Sequence, residues 1–159
     1  MSIFALGDLH LSLGTNKTME VFGPAWDRYV QRIEENWRAM IKPEDTVLVP
    51  GDISWAMYLS ETKADFDFLE SLPGRKLICR GNHDYWWTTV HKMEDYFAKQ
   101  NYKSLQIVRH NAVVVEDSVI SGTRGWVLPN DSKFSAEDKP IYERELARLR
   151  LCAEAIEKA

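Results

Sequence analysis

Three short polar clusters each stand directly behind an apolar run of the length of a buried strand. Ile3-Phe4-Ala5-Leu6-Gly7 runs into Asp8-Leu9-His10, Thr46–Pro50 runs into Gly51-Asp52, and Lys76–Cys79 precedes Gly81-Asn82-His83-Asp84. Between these runs the apolar spacing changes to three and four residues. Trp26, Tyr29, Val30, Ile33, Trp37, Met40 and Ile41 predict a helix over 26–41 that Pro43 stops, and Ala64, Phe68, Leu69 and Leu72 predict another over 61–72 that Pro73-Gly74 ends. Strand and helix in alternation imply parallel β-α-β units. Polar groups that follow parallel strands are carried to one edge of the sheet. Carboxylate, imidazole and carboxamide oxygen would therefore meet at that edge. They are hard or borderline donors suited to Mg, Mn, Fe or Zn. The glycines among them let the backbone turn sharply and pass close to a ligand.

The rest of the chain is read in the same way. A third helix is predicted over Trp87–Lys99. Three short strands at Leu105–Val108, Ala112–Glu116 and Val119–Gly122, separated by a few polar residues, suggest an antiparallel meander, and a long helix closes the chain over Glu137–Lys158. The expectation is an α/β fold in a single domain over 1–159. With a formal charge of −4 and no basic stretch, no nucleic-acid footprint is indicated. No apolar run approaches the ~20 residues of a membrane span, and the N-terminus lacks the basic start of a signal peptide. Cys79 and Cys152 are too isolated in sequence to suggest a zinc-thiolate site or a disulfide. The expected location is cytoplasmic.

Asp-x-His, then Gly-Asp, then Gly-Asn-His-Asp, in that order and each after a strand, resembles the N-terminal motif set of the calcineurin-like metallophosphoesterases. Ile120-Ser121-Gly122-Thr123-Arg124-Gly125-Trp126 resembles the strand-and-turn segment of a bacterial subgroup. The resemblance implies a β-sandwich of two mixed sheets flanked by helices, and hydrolysis of a phosphomonoester or phosphodiester by a metal-activated hydroxide at two divalent ions. By the same resemblance Asp8 and His10 bind the first metal, Asp52 bridges both and Asn82 binds the second. His83 acts as general acid, and Asp84 holds its ring. Family members end in further histidine blocks, whereas no histidine follows His110 here. The resemblance therefore implies a chain incomplete at its C-terminus, with one metal or none. A catalytically inactive fragment and a non-enzymatic binding module stay open as readings at this point.

Other residues carry more than one reading. His91, beside an apolar helical stripe, reads as a surface or packed histidine, His110 as a turn residue and Cys79 as a small core residue. Trp55, Trp86 and Trp87 either line a pocket for an aromatic or nucleotide leaving group or pack the loops. Arg124 either meets substrate phosphate or stands in a turn. Val113, Val115 and Ile120 are expected to lack cover, and self-association to a homodimer follows from them and from open strand edges.

Overall fold

The computed structural model describes all residues, Met1–Ala159, as two compact units, Met1–Ile107 and Val108–Ala159. The first unit carries strands β1 (Ile3–Ala5), β2 (Thr46–Val49), β3 (Arg75–Ile78) and β4 (Leu105–Ile107) with helices α1 (Tyr29–Met40), α2 (Lys63–Ser71) and α3 (Val90–Gln100). The strands form one sheet in the order β1-β2-β3-β4, every pair parallel, with Ala5 opposite Leu48, Leu48 opposite Leu77 and Ile78 opposite Ile107.

Residues 105–107 are therefore not the first arm of an antiparallel meander. The intervening helix supplies the long crossover that a parallel connection requires, a constraint that the short polar gaps around residue 105 do not reveal. Val47, Val49, Leu77 and Ile78 are buried in the strands, and Phe66, Leu69, Met93 and Phe97 close over the sheet from the helices. Phe66 meets Trp86 and Phe97 edge-on at centroid distances of 5.1 and 5.2 Å, the geometry the ring quadrupole favours.

The helices begin later than the apolar spacing predicts. Trp26 belongs to a 3-10 turn, Pro24–Trp26, and Arg28 at φ +50° breaks the chain before α1. Thr89 starts α3: its hydroxyl oxygen accepts from the Lys92 N–H at 3.4 Å, and left-handed Asn101 ends the helix.

The second unit contains a hairpin of β5 (Val113–Val115) and β6 (Ser118–Ile120), followed by α4 (Asp138–Glu157). Val113 and Val115 are buried, contrary to expectation. The alternate residues Val114 and Val119 face outward instead, as the two-residue period of a strand requires. On α4, Glu145 and Cys152 are buried while Leu146, Leu149, Leu151 and Ile156 are exposed. No helix is long and apolar enough to cross a membrane.

Candidate metal centre

The three motif loops leave the carboxyl ends of β1, β2 and β3, neighbours in the sheet. The β1–β2 pairing does not stop with the strands. Asp8 N–H donates to Gly51 O at 3.1 Å, His10 N–H to Asp52 O at 2.9 Å, and Leu11 N–H to Ile53 O at 2.9 Å. Between these bonds the backbone kinks repeatedly: Asp8, His10 and Asp52 have φ of +56°, +44° and +51°. Left-handed conformations at non-glycine residues cost free energy and persist where the surrounding structure holds them. Here they turn a carboxylate, an imidazole and a second carboxylate toward one another. One donor atom from each of the three lies within 4.8 Å of the others. His10 Nε2 stands 3.6 Å from Asp8 Oδ1 and 3.9 Å from Asp52 Oδ2. The Asp8 side chain is 76% exposed, whereas His10 and Asp52 are largely covered.

The loop after β3 is fitted against this cluster. Asp52 Oδ1 accepts from the His83 N–H at 2.9 Å, which leaves Oδ2 directed at His10. A Cβ on Gly81 would stand 2.0 Å from Asp52 Oδ1, so only glycine allows this approach. Gly51, at φ +131°, is pressed against Gly81 in the same way, 2.4 Å from its nitrogen to a hypothetical Cβ. The His83 ring lies 5.9 Å from the His10 ring, and its Nδ1 is buried without a hydrogen-bond partner. Asn82 is exposed on the same loop.

Asp84 does not hold the His83 ring. Its carboxylate accepts five hydrogen bonds, from the backbone N–H groups of Asp52, Ile53, Ser54 and Gly81 and from the Trp86 indole. It lies at the bottom of the two loops, where four backbone amides converge, and ties the loop after β2 to the loop after β3. Burial pushes its carboxyl above the ordinary range, against the pull of those donors. Trp86 and Trp87 are both in the core, so of the three tryptophans considered for a pocket only Trp55 stands at the site, half-buried and stacked on His10 at 5.1 Å.

Two positions with no motif to mark them support the centre. Tyr29, at the start of α1, donates its hydroxyl to the His10 carbonyl oxygen at 2.6 Å. Asp65, wholly buried in α2, accepts from Leu13 N–H at 2.8 Å and from the Ser54 hydroxyl at 2.5 Å, bracing the first and second loops together. Burial raises its carboxyl as well. Flanked by Ala64 and Phe66 on the buried face, Asp65 had a sequence signal, but a single acidic residue among the acids of 61–70 reads as a solvated charge.

His91 is on the exposed face of α3, 3.3 Å from Asp95. In the second unit His110 occupies a left-handed turn, φ +59°, and Arg124 lies over the Trp126 ring at 4.4 Å, near Glu145.

The donor set fits a divalent cation. Two carboxylates and an imidazole converge on one point, held by backbone that only a demanding local structure sustains, beside an imidazole nitrogen that is buried and orphaned. An orphaned buried donor or acceptor calls for an additional group at the site.

No curated protein matches the chain. The crystal structure of the protein of unknown function AQ665 from Aquifex aeolicus is similar, with 19% sequence identity and a TM-score of 0.54, over 96% of this chain and 75% of that one. At that identity the likeness is one of fold. The sequence profile described as calcineurin-like phosphoesterase matches residues 1–147, a span that includes every motif loop described above. The chain belongs to the calcineurin-like phosphoesterase family.

Proposed function

We propose that the chain hydrolyses a phosphate ester with the help of divalent metal ions held at the loops after β1, β2 and β3. The observation that supports this most directly is the convergence of Asp8, His10 and Asp52 within 4.8 Å, all in left-handed backbone, in a member of a phosphoesterase family. Asp8, His10 and Asp52 would hold one ion, and Asp52 with Asn82 a second. Bound there, such ions supply a Lewis acid for the phosphoryl oxygens and acidify water at neutral pH.

The chain's own residues do the rest. The carboxylates fix where the phosphate charge is neutralised. His83, beside His10, would give a proton to the departing alkoxide, the part of the reaction that most needs an acid when the leaving group is poor. Trp55 and Trp26, packed against the His10 ring, limit access of bulk water from that side. The substrate is a phosphomonoester or phosphodiester. The chain is further proposed to pair as a homodimer through its exposed strand edges.

The test is the manganese-dependent hydrolysis of para-nitrophenyl phosphate and of its bis-ester, in wild type and Asp52→Asn. A metal-dependent rate on either ester that falls at least about a hundredfold in the variant is expected, a loss of about 2.7 kcal/mol of transition-state stabilisation. A rate untouched by chelator, or equal in both proteins, overturns the reading.

A further inference from the structure

Trp55 packs against both imidazoles of the site, the three rings forming a triangle in which His10 and His83 are 5.9 Å apart. Its ring stacks on His10 at 5.1 Å with 25° between planes, and meets His83 at 5.3 Å and 49°. The indole is itself fixed from several directions. Its Nε1 donates to Met19 Sδ at 3.2 Å, its backbone N–H donates to Leu11 O at 2.8 Å, and the Lys17 ammonium lies 5.2 Å from the ring centroid. Leu11 is the residue after His10, so the same short stretch carries the ligand and anchors the ring that packs on it. The other side of His10 is secured by Tyr29, whose hydroxyl donates to the His10 carbonyl, and by Trp26, edge-on to both rings at 6.2 and 5.3 Å.

These contacts have a task that the polar partners leave undone. His10 sits at φ +44°, off the backbone basins a histidine prefers, and its side chain is 12% exposed. Its Nε2 faces the two carboxylates at 3.6 and 3.9 Å, beyond hydrogen-bond length. Many ligand imidazoles are oriented by a hydrogen bond to the second ring nitrogen; a flat aromatic surface against the ring restricts its plane as well.

We propose that Trp55 is a positioning residue for both imidazoles, with Tyr29 as its counterpart on the His10 backbone. Trp55 sets the plane of the His10 ring so that Nε2 meets the two carboxylates, and it keeps His83 at a fixed distance from it. The proposal rests on the metal-centre reading. It requires no contact between Trp55 and the substrate.

Calorimetric titration with Mn2+ and the visible absorption of the Co2+-loaded chain test it, on wild type, Trp55→Ala, Trp55→Phe and Tyr29→Phe, each checked for folding by circular dichroism. Trp55→Ala should bind Mn2+ about tenfold or more weakly, the range found for groups that orient metal ligands, and should shift the Co2+ bands. Trp55→Phe, which restores a ring to stack, should recover affinity to within about threefold, and Tyr29→Phe should fall between. If Trp55→Ala does not fold, Trp55→Phe and Trp55→Leu give the same comparison, with leucine filling the volume without a ring. Folded Trp55→Ala or Trp55→Leu with wild-type affinity and an unchanged Co2+ spectrum overturns the proposal and leaves the metal centre standing. A wild-type chain that takes up neither ion overturns the metal-centre reading, and the proposal with it.

Discussion

The two compact units handle buried charge in different ways. In Met1–Ile107, the five donors to Asp84 are four backbone amides and one indole, and the carboxylate serves as a knot between loops. In Val108–Ala159, Glu145 on α4 is nearly as buried, but its partners are side chains. Thr123 donates its hydroxyl to Oε2 at 2.7 Å, Arg148 donates to Oε1 at 2.5 Å, and Arg124 stands 3.8 Å away. A carboxylate bonded to backbone fixes the path of the chain. One bonded to side chains fixes a helix to a segment and lets the backbone relax if it is lost. Rigid, strained loops that hold a reactive site need the first kind of support. The candidate metal ligands and the loops that carry them lie in the first unit.

Removing each carboxylate is the sharpest way to break this comparison. Asp84→Ala leaves five buried donors without an acceptor, and a loss of about 4 kcal/mol or more is expected, enough to unfold a chain of this size or to strip it of metal. Glu145→Ala should cost about 1–2 kcal/mol, because Arg148 is partly exposed and can turn to water. Urea denaturation followed by tryptophan fluorescence gives both values. Equal losses would mean that the backbone knot is no more demanding than the side-chain cluster.

Gly81→Ala tests the same loops without removing any polar group. Its methyl would press on Asp52 Oδ1 and on Asp52 N at 2.0 and 2.2 Å. A drop in Mn2+ affinity of about tenfold or more is expected by calorimetry, since a loop moved by an ångström no longer orients its ligand. Unchanged affinity would show that the loops yield more readily than their bonding implies.

Lys76 offers a smaller effect, read by pH. Its side chain is buried under the sheet, donating to Leu72 O and to the Ser104 hydroxyl at 3.0 Å, and burial lowers its pKa from 10.5 to about 8 despite nearby Glu70. Below about 8 it is protonated in the folded and the unfolded chain and carries its desolvation cost. Between about 8 and 10.5 the folded chain has released the proton while the unfolded chain still holds it. The unfolded state then binds more protons, so this group's contribution to stability rises with pH across that window. Denaturation of wild type and Lys76→Met at pH 7 and pH 10 should show the variant's relative stability falling as pH rises. A difference independent of pH would mean that Lys76 titrates alike in both states.

The unit that carries the candidate metal centre is the more legible one, for a physical reason. The strands behind the motifs read as plain apolar runs, β2 and β3 because they are buried and β1 although Ile3 and Ala5 are exposed in the structure, and glycine-rich polar turns directly after such runs are rare except at a sheet edge. Asp8, His10 and Asp52 are therefore legible in the sequence. What the sequence hid is tertiary. Asp65 looks like a surface acid, and Asp84 like a partner of the His83 ring, until a serine hydroxyl is seen to meet the first and four amides to converge on the second. Trp86 and Trp87, next to a motif, look like pocket walls until the core is seen to need their volume. Residues 105–107 resemble a meander strand because direction is set by the length of the connection behind them and not by their own composition.

Self-association bears on the second unit. The sheet there has two strands, so each of β5 and β6 has an outer edge with unpaired N–H and C=O groups. Val114 and Val119 are exposed on its outward face at 54% and 36%, and Leu149 and Leu151 on α4 at 56% and 48%. A two-stranded sheet is marginal in water alone, and an edge of this kind pairs with another chain when one is available. The simplest closed arrangement is a symmetric dimer in which one strand edge meets its own copy. Val113 and Val115, being buried already, add nothing to the drive, so the interface should be weaker than their exposure would have made it. Sedimentation equilibrium should show a monomer–dimer balance with a dissociation constant of roughly micromolar order, about −8 kcal/mol. Val119→Lys, which sets a charge opposite its own copy at a paired face, should shift the balance to monomer while leaving Mn2+ affinity unchanged, since the metal ligands all lie in the first unit. A wild-type chain that stays monomeric at tens of micromolar would show that the hairpin edges are protected by their own twist and brevity instead of by a partner.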